Sequence, residues 1–144
     1  MSEQTRRGGF IGTTKNTLEN SAMLGAEFWH EGMEVSVLFN REFATKYGMG
    51  TEFLLVLPIA LFVKIDQYGH ASPCLSDDTD ARRITRFAMP PLSGFDMAMQ
   101  DLKANGFDGF RLHDRCIIKC VGKQKASEIG FSDMPLFEIS VDPR

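Results

Sequence analysis

Strict alternation of apolar and polar residues is the feature that most constrains this chain. Met33, Val35, Val37 and Phe39 form one such set, with Glu34, Ser36 and Leu38 in the other phase. Cys116, Ile118 and Cys120 form another, with Arg115, Ile117, Lys119 and Val121 between and around them. A period of two places each apolar set on one face of a strand; a helix would need apolar residues three and four apart. Phe53 to Leu57 is apolar in both phases, which suits a central strand covered on both faces. Helical spacing is clearest at Phe95, Ala98, Met99 and Leu102. The pattern predicts a mainly β chain with one helix late in the order.

The punctuation between these stretches sets the layout. Residues 1–9 read as a flexible tail and residues 10–144 as a single domain. Thr17 to Trp29 carries Leu18, Met23, Ala26 and Trp29 partly in helical register, interrupted by Gly25. After the 33–39 strand, residues 40–50 read as a loop closing on Gly48-Met49-Gly50. Pro58 cannot sit in a paired central strand, so the chain bends there and resumes at Leu61 to Ile65. Asp66 to Asp80 is a polar loop, and Arg83 to Met89 a third strand ended by Pro90-Pro91. Ser93 is the expected N-cap of the helix, with Asp96 three residues later as in a capping box, and Asn105-Gly106 is the stop. Arg115 to Val121, a hairpin loop over 122–134 and Leu136 to Val141 complete the chain. A helix between the third and fourth major strands is the layout of an OB-fold-like five-stranded Greek-key barrel. A plain β-barrel, or an α+β sandwich with one helix, is the alternative.

Composition enters through charge. The 144 residues carry a formal net charge of −3, which excludes a uniformly basic nucleic-acid coat. The charge is uneven, however. Arg82, Arg83, Arg86, Lys103, Arg111, Arg115, Lys119, Lys123 and Lys125 face four acids in the same stretch, a net of +5 that leaves −8 elsewhere. Local sign matters more than the total for an anionic ligand.

Other classes lack their signatures. No apolar run approaches the roughly 18 residues of a membrane span, and MSEQTRRGGF lacks a signal-peptide apolar core. Three cysteines do not make a disulfide framework, so a cytoplasmic protein is expected. His70, Cys74, Asp77 and Asp78 lack the paired Cys or His set that zinc prefers, and Cys116 and Cys120 lie about 13 Å apart on a strand. There is no phosphate-binding Gly-Lys-Ser/Thr loop and no nucleophile elbow; Gly8, Gly9 and Gly12 lack the preceding strand a dinucleotide site requires. The expectation is a non-enzymatic protein without metal or cofactor.

The run D-L-K-A-N-G-F-D-G-F-R-L-H-D-R-C-I-I-K-C-V-G-K from Asp101, continued by G-F-S-D-M-P-L-F-E-I-S-V, resembles the end of OB-like single-stranded DNA-binding proteins of phages and plasmids. Leu112, Asp114, Gly122, Leu136, Phe137 and Glu138 carry the resemblance, and His113 stands where the pattern has glycine. The resemblance covers the last third of the chain well and the rest in element order. It implies binding of single-stranded DNA with little sequence preference, during replication or recombination of a phage or mobile element. A homodimer and replication or recombination proteins are the further partners it points to, with no membrane.

Such a ligand needs cations along phosphates and aromatics under bases. In an OB-fold these come from the face of strands 2 and 3 and from the loops joining strands 1–2 and 4–5. The first loop offers Arg41, Phe43, Lys46 and Tyr47, and the second Lys123, Lys125 and Phe131. Lys64 on strand 2, Arg82, Arg83 and Arg86 on strand 3 and Lys119 on strand 4 complete the expected groove. Phe43 and Phe131 read more readily as core plugs than as stacking residues, Phe53, Phe62 and Trp29 as packing, and Asp77 to Asp80 as a loop away from the groove. Two rivals use the same scaffold: a protein-interaction factor of the host-takeover or defence-inhibitor kind, exploiting eight methionines, and a virion structural subunit.

Overall fold

A computed structural model describes residues 22–56, 61–68, 70–126 and 133–144. The expected tail, the start of the Thr17–Trp29 segment, the bend at Pro58 and Phe131 lie outside these residues. The described elements run β1 (Ala22–Met23), β2 (Glu34–Thr45), β3 (Gly48–Leu55), β4 (Leu61–Ile65), β5 (Ala71–Pro73), β6 (Arg82–Ile84), β7 (Arg86–Met89), α1 (Ser93–Ala104), β8 (Arg115–Gln124) and β9 (Met134–Val141). The fold is mainly β with one described helix, as the alternation predicts.

The strands form two sheets. One has the order β1-β7-β3-β2-β8-β9 and the other β5-β4-β6. Neither closes into a ring, so the five-stranded barrel of the sequence reading becomes an open six-stranded sheet with a three-stranded insertion between β3 and β7. The expected third strand, Arg83 to Met89, is split: β6 pairs with β4 and β7 with β3. Thr85, between them, accepts the N–H of Leu55 on its carbonyl, so the chain changes sheets there without losing its hold on β3.

The inward phase is the one the alternation marked. Val35, Val37, Phe39, Cys116, Ile118 and Cys120 are buried, joined by Phe53, Phe87 and Ile139. At the centre of β3 both phases are buried, Phe53 on the core side and Glu52 on the other, where the Asn40 and Arg41 side chains meet it. Aromatic rings knit distant strands together. Phe95 of α1 meets Phe53 of β3 at 6.2 Å and Phe137 of β9 at 5.9 Å between centroids. Trp29 meets Phe87 of β7 at 6.3 Å and Phe137 at 5.1 Å. The sheet therefore curls, and Trp29 bridges β7 and β9, which do not pair with each other. Residues 22–29 do this as a short strand and turns, not as the expected helix.

Three local expectations change. β2 runs on to Thr45, and a two-residue turn at Lys46-Tyr47 replaces the loop expected over residues 40–50. The polar loop after β4 contains β5. The N-cap of α1 is Leu92, with no side-chain cap bond, so Ser93 makes no capping box. The stop falls where expected, with Asn105 as C-cap and Gly106 at φ +100°, a conformation glycine adopts freely. No described helix is long and apolar enough to cross a membrane.

Candidate nucleic-acid interface

Register decides which side chains share the outer face of the large sheet. Residues directly opposite one another across a pair point the same way. One row crosses four strands: Arg86 on β7, Leu54 on β3, Leu38 on β2 and Arg115 on β8. The next row holds Ala88, Glu52 and Arg41, and the one beyond it Gly50 and Phe43. The hairpin then ends in Thr45, Lys46, Tyr47 and Gly48.

A bulge between Phe39 and Arg41 makes the middle row possible. It adds Asn40 to β2 and brings both Asn40 and Arg41 to Glu52. Asn40 Nδ2 donates to Glu52 Oε1 at 2.6 Å, and Arg41 Nε donates to the same oxygen at 3.1 Å. Glu52 is only 1% exposed, and burying a carboxylate is costly unless it is paired and hydrogen-bonded, as here. The Arg41 guanidinium lies 5.4 Å from the centroid of the Phe43 ring. That ring occupies the space a Cβ on Gly50 would take, 2.5 Å from Phe43 Cζ.

The hairpin tip is built as firmly. Thr45 Oγ1 donates to the Gly48 carbonyl at 2.6 Å and accepts the Tyr47 N–H at 3.2 Å. Gly48 sits at φ +134°. The tip holds Tyr47 82% exposed, with Lys46 Nζ 5.8 Å from its ring centroid. Among the described residues, no ion pair engages Lys46, Arg86 or Arg115.

Lys119, in the phase of Arg115, lies on the same outer face, and the other expected cations lie elsewhere. Lys119 stands directly between Glu34 on β2 and Glu138 on β9, so its charge is flanked on both sides. A second bulge, between Cys120 and Gly122, reverses the phase of β8 and sets Lys123 opposite buried Pro135. Lys125 follows the end of β8. From the Leu38–Arg115 pair, the tip at Lys46 lies about 25 Å along the strands one way and Lys125 about 30 Å the other. The two expected loops thus sit at opposite ends of the sheet. Lys64, Arg82 and Arg83 belong to the small sheet; there Phe62, opposite Arg83, and Lys64, opposite Ser72, share a face. Of the expected groove, the outer face unites Arg41, Lys46, Tyr47 and Arg86, besides the flanked Lys119. Phe43 and Arg115 join it. Arg115 was visible in the outward phase of its strand, but only pairing with Leu38 places it in the row of Arg86.

A second charged unit closes the region behind Arg115. Arg144 donates from Nη2 to Asp114 at 2.8 Å and to the Gly109 carbonyl at 2.6 Å, and pairs through Nη1 with Asp108 at 3.1 Å. Its guanidinium holds both carboxyls below the usual carboxylate range, and its hydrogen bonds to Asp114 and Asp108, with their charge, raise Arg144 in return. Arg111 pairs with Asp108 and is thereby removed from the free cations. The turn these residues anchor is hydrogen-bonded to β2 beside the bulge: Phe39 N–H donates to Asp114 O, and His113 N–H to Phe39 O, both at 2.8 Å. Behind the sheet, burial pushes the Cys116 thiol up to about 12, as befits an inert core residue.

The His70 region makes local turns. Asp66 Oδ1 accepts the N–H groups of Tyr68 and His70 at 2.9 Å, and Asp78 Oδ2 accepts that of Leu75 at 3.0 Å. Comparison of the chain with models of protein families, with curated proteins and with solved structures finds no match.

Proposed function

We propose that this chain binds single-stranded DNA with little sequence preference, on the outer face of β7, β3, β2 and β8. It would shield strands in replication or recombination of a phage or mobile element, as the resemblance of its last third implies. The observation that carries this reading is the outer face itself. Arg86, Arg41 and Arg115 lie there in adjoining rows, and the face ends in a rigid hairpin tip presenting Tyr47 and Lys46. Cations spaced along a strand and an exposed ring at its end are what a phosphate backbone with unpaired bases requires.

The OB-like part of the proposal draws support from strand order. β8-β2-β3-β7 has the spatial order of a four-strand Greek key, with the fourth strand returning beside the first. α1 falls between the third and fourth of these strands, and β9 follows as a fifth. Titration of a fluorescently labelled oligo-dT, followed by anisotropy, tests the reading. Wild type should bind, Tyr47→Ala should weaken binding with an unchanged salt slope, and Arg86→Ala should weaken it with a shallower slope. Intrinsic tryptophan fluorescence would be a poor readout, because Trp29 is buried in the core.

A protein-partner reading rests on a different feature. A cleft of about 230 Å³ between the hairpin and α1 is lined by Met49, Met99, Phe95 and Phe110, with Glu42 and Lys103 at its rim. Failure to bind oligo-dT, together with a partner whose capture is lost in Met49→Asp, would favour that reading.

A further inference from the structure

We propose that Arg41 is a pre-set phosphate-binding fork, and that Glu52, Asn40 and Gly50 are the residues that set it. The inference rests on the DNA-binding reading and names the group recognised at this row: a phosphodiester oxygen pair, not a base.

The geometry carries it. A surface arginine ordinarily pays rotamer entropy each time it engages an anion. Here Glu52 Oε1 holds Nε at 3.1 Å, which fixes the guanidinium through one donor. The Phe43 ring supports the guanidinium at 5.4 Å. Of the Arg41 donors, Nε is the one that engages Glu52, so the terminal amino groups can offer a planar pair of donors, a match for two phosphate oxygens. Arg41 keeps 45% of its side chain exposed while its anchor Glu52 is buried, so the fork is accessible and its mount is not. Gly50 completes the unit, since any side chain there would displace Phe43. Asn40 donates to the same carboxylate oxygen and exists at that position because the bulge inserts it.

Charge alone and positioning make opposite predictions. Glu52→Gln removes a negative charge from a face that binds an anion, so simple electrostatics requires tighter binding. Positioning requires weaker binding, because the neutral amide holds Nε less strongly. Arg41→Lys keeps the charge but loses the planar fork, and its exposed site makes it safe for folding. Oligo-dT affinity is measured for wild type and both variants at one salt concentration, with thermal unfolding recorded beside it. The expected result is a loss of about threefold to tenfold in each variant, with the salt slope of Arg41→Lys unchanged. Should Glu52→Gln not fold, Gly50→Ala replaces it, since it displaces the ring with no change of charge. Wild-type affinity in Arg41→Lys, or equal or tighter binding in a folded Glu52→Gln, overturns the inference and leaves DNA binding standing. Absence of binding by the wild-type protein overturns both.

Discussion

His113 illustrates how a single residue can keep a turn that its chemistry disfavours. Its φ is +65°, in the left-handed region that favours glycine. Histidine is among the residues that tolerate this region, at a cost of about 1 kcal/mol. The turn persists because the His113 N–H donates to Phe39 O and the neighbouring Asp114 is pinned by Arg144. His113→Gly should hold or raise stability by up to about 1 kcal/mol, while His113→Val should lower it by about 1–2 kcal/mol; urea midpoints check both. Arg144 provides a pH-dependent prediction. Asp108 and Asp114 titrate below their ordinary value of 3.8 because Arg144 and Arg111 favour the carboxylates. Groups depressed on folding stabilise above the ordinary value and lose that contribution as pH falls through the depressed one. Arg144→Ala should therefore melt earlier than wild type at pH 7, and the gap should close as pH drops below 3.8. A gap that persists in acid would assign Arg144's role to packing on Phe107 instead, where its guanidinium lies 5.7 Å from the ring centroid.

At the scale of elements, Gly94 sets two general effects against each other. Alanine in the first turn of a helix is intrinsically better than glycine by up to about 1 kcal/mol. Yet a Cβ on Gly94 would run into the carbonyl oxygen of Pro135, where α1 crosses β9. The obstacle is backbone and cannot swing aside, so overpacking should win. Gly94→Ala should destabilise by about 1–3 kcal/mol, read from thermal or urea unfolding; a stabilised variant would mean that α1 is free to shift on β9. The elements also show what the sequence could and could not reveal. The strand phases at Met33–Phe39 and Cys116–Cys120 were legible because one side is buried, and burial imposes a period of two. The helix and its Asn105-Gly106 stop were legible from spacing. The extension of β2 to Thr45 was hidden, since Asn40 breaks the alternation and that break is the bulge. The division of Arg83 to Met89 between two sheets was hidden as well, because no local signal distinguishes a strand from a strand that changes partners.

At the scale of the whole molecule, the candidate site was half legible. Arg41, Lys46, Tyr47 and Arg86 were identifiable as residues, and the structure unites them on one face. Lys119, Lys123 and Lys125 were grouped with them through loop position and charge. Lys119 shares that face, but Glu34 and Glu138 flank it there; the phase reversal at Gly122 separates Lys123 from the face, and Lys125 lies past the end of β8. Such facts belong to contacts between strands far apart in sequence, which spacing along one strand does not encode. The +5 segment therefore does not form one basic wall. It is divided among the outer face, the small sheet, α1, the far hairpin and the Arg111–Asp108 pair. Apart from Lys119, which its two glutamates flank, the outer face and its hairpin tip carry Arg41, Arg86, Arg115 and Lys46, a set of four cations.

That number makes the central claim measurable. The logarithm of the oligo-dT association constant, plotted against the logarithm of salt concentration, falls with a slope of about −0.7 per phosphate neutralised on a single strand. Four cations on one face predict binding at low salt with a slope of about −3, and Arg86→Ala or Arg115→Ala should each bring it nearer to −2. No binding at low salt with protein on the order of tens of micromolar, or an affinity indifferent to salt, would contradict a DNA-binding face on β7, β3, β2 and β8.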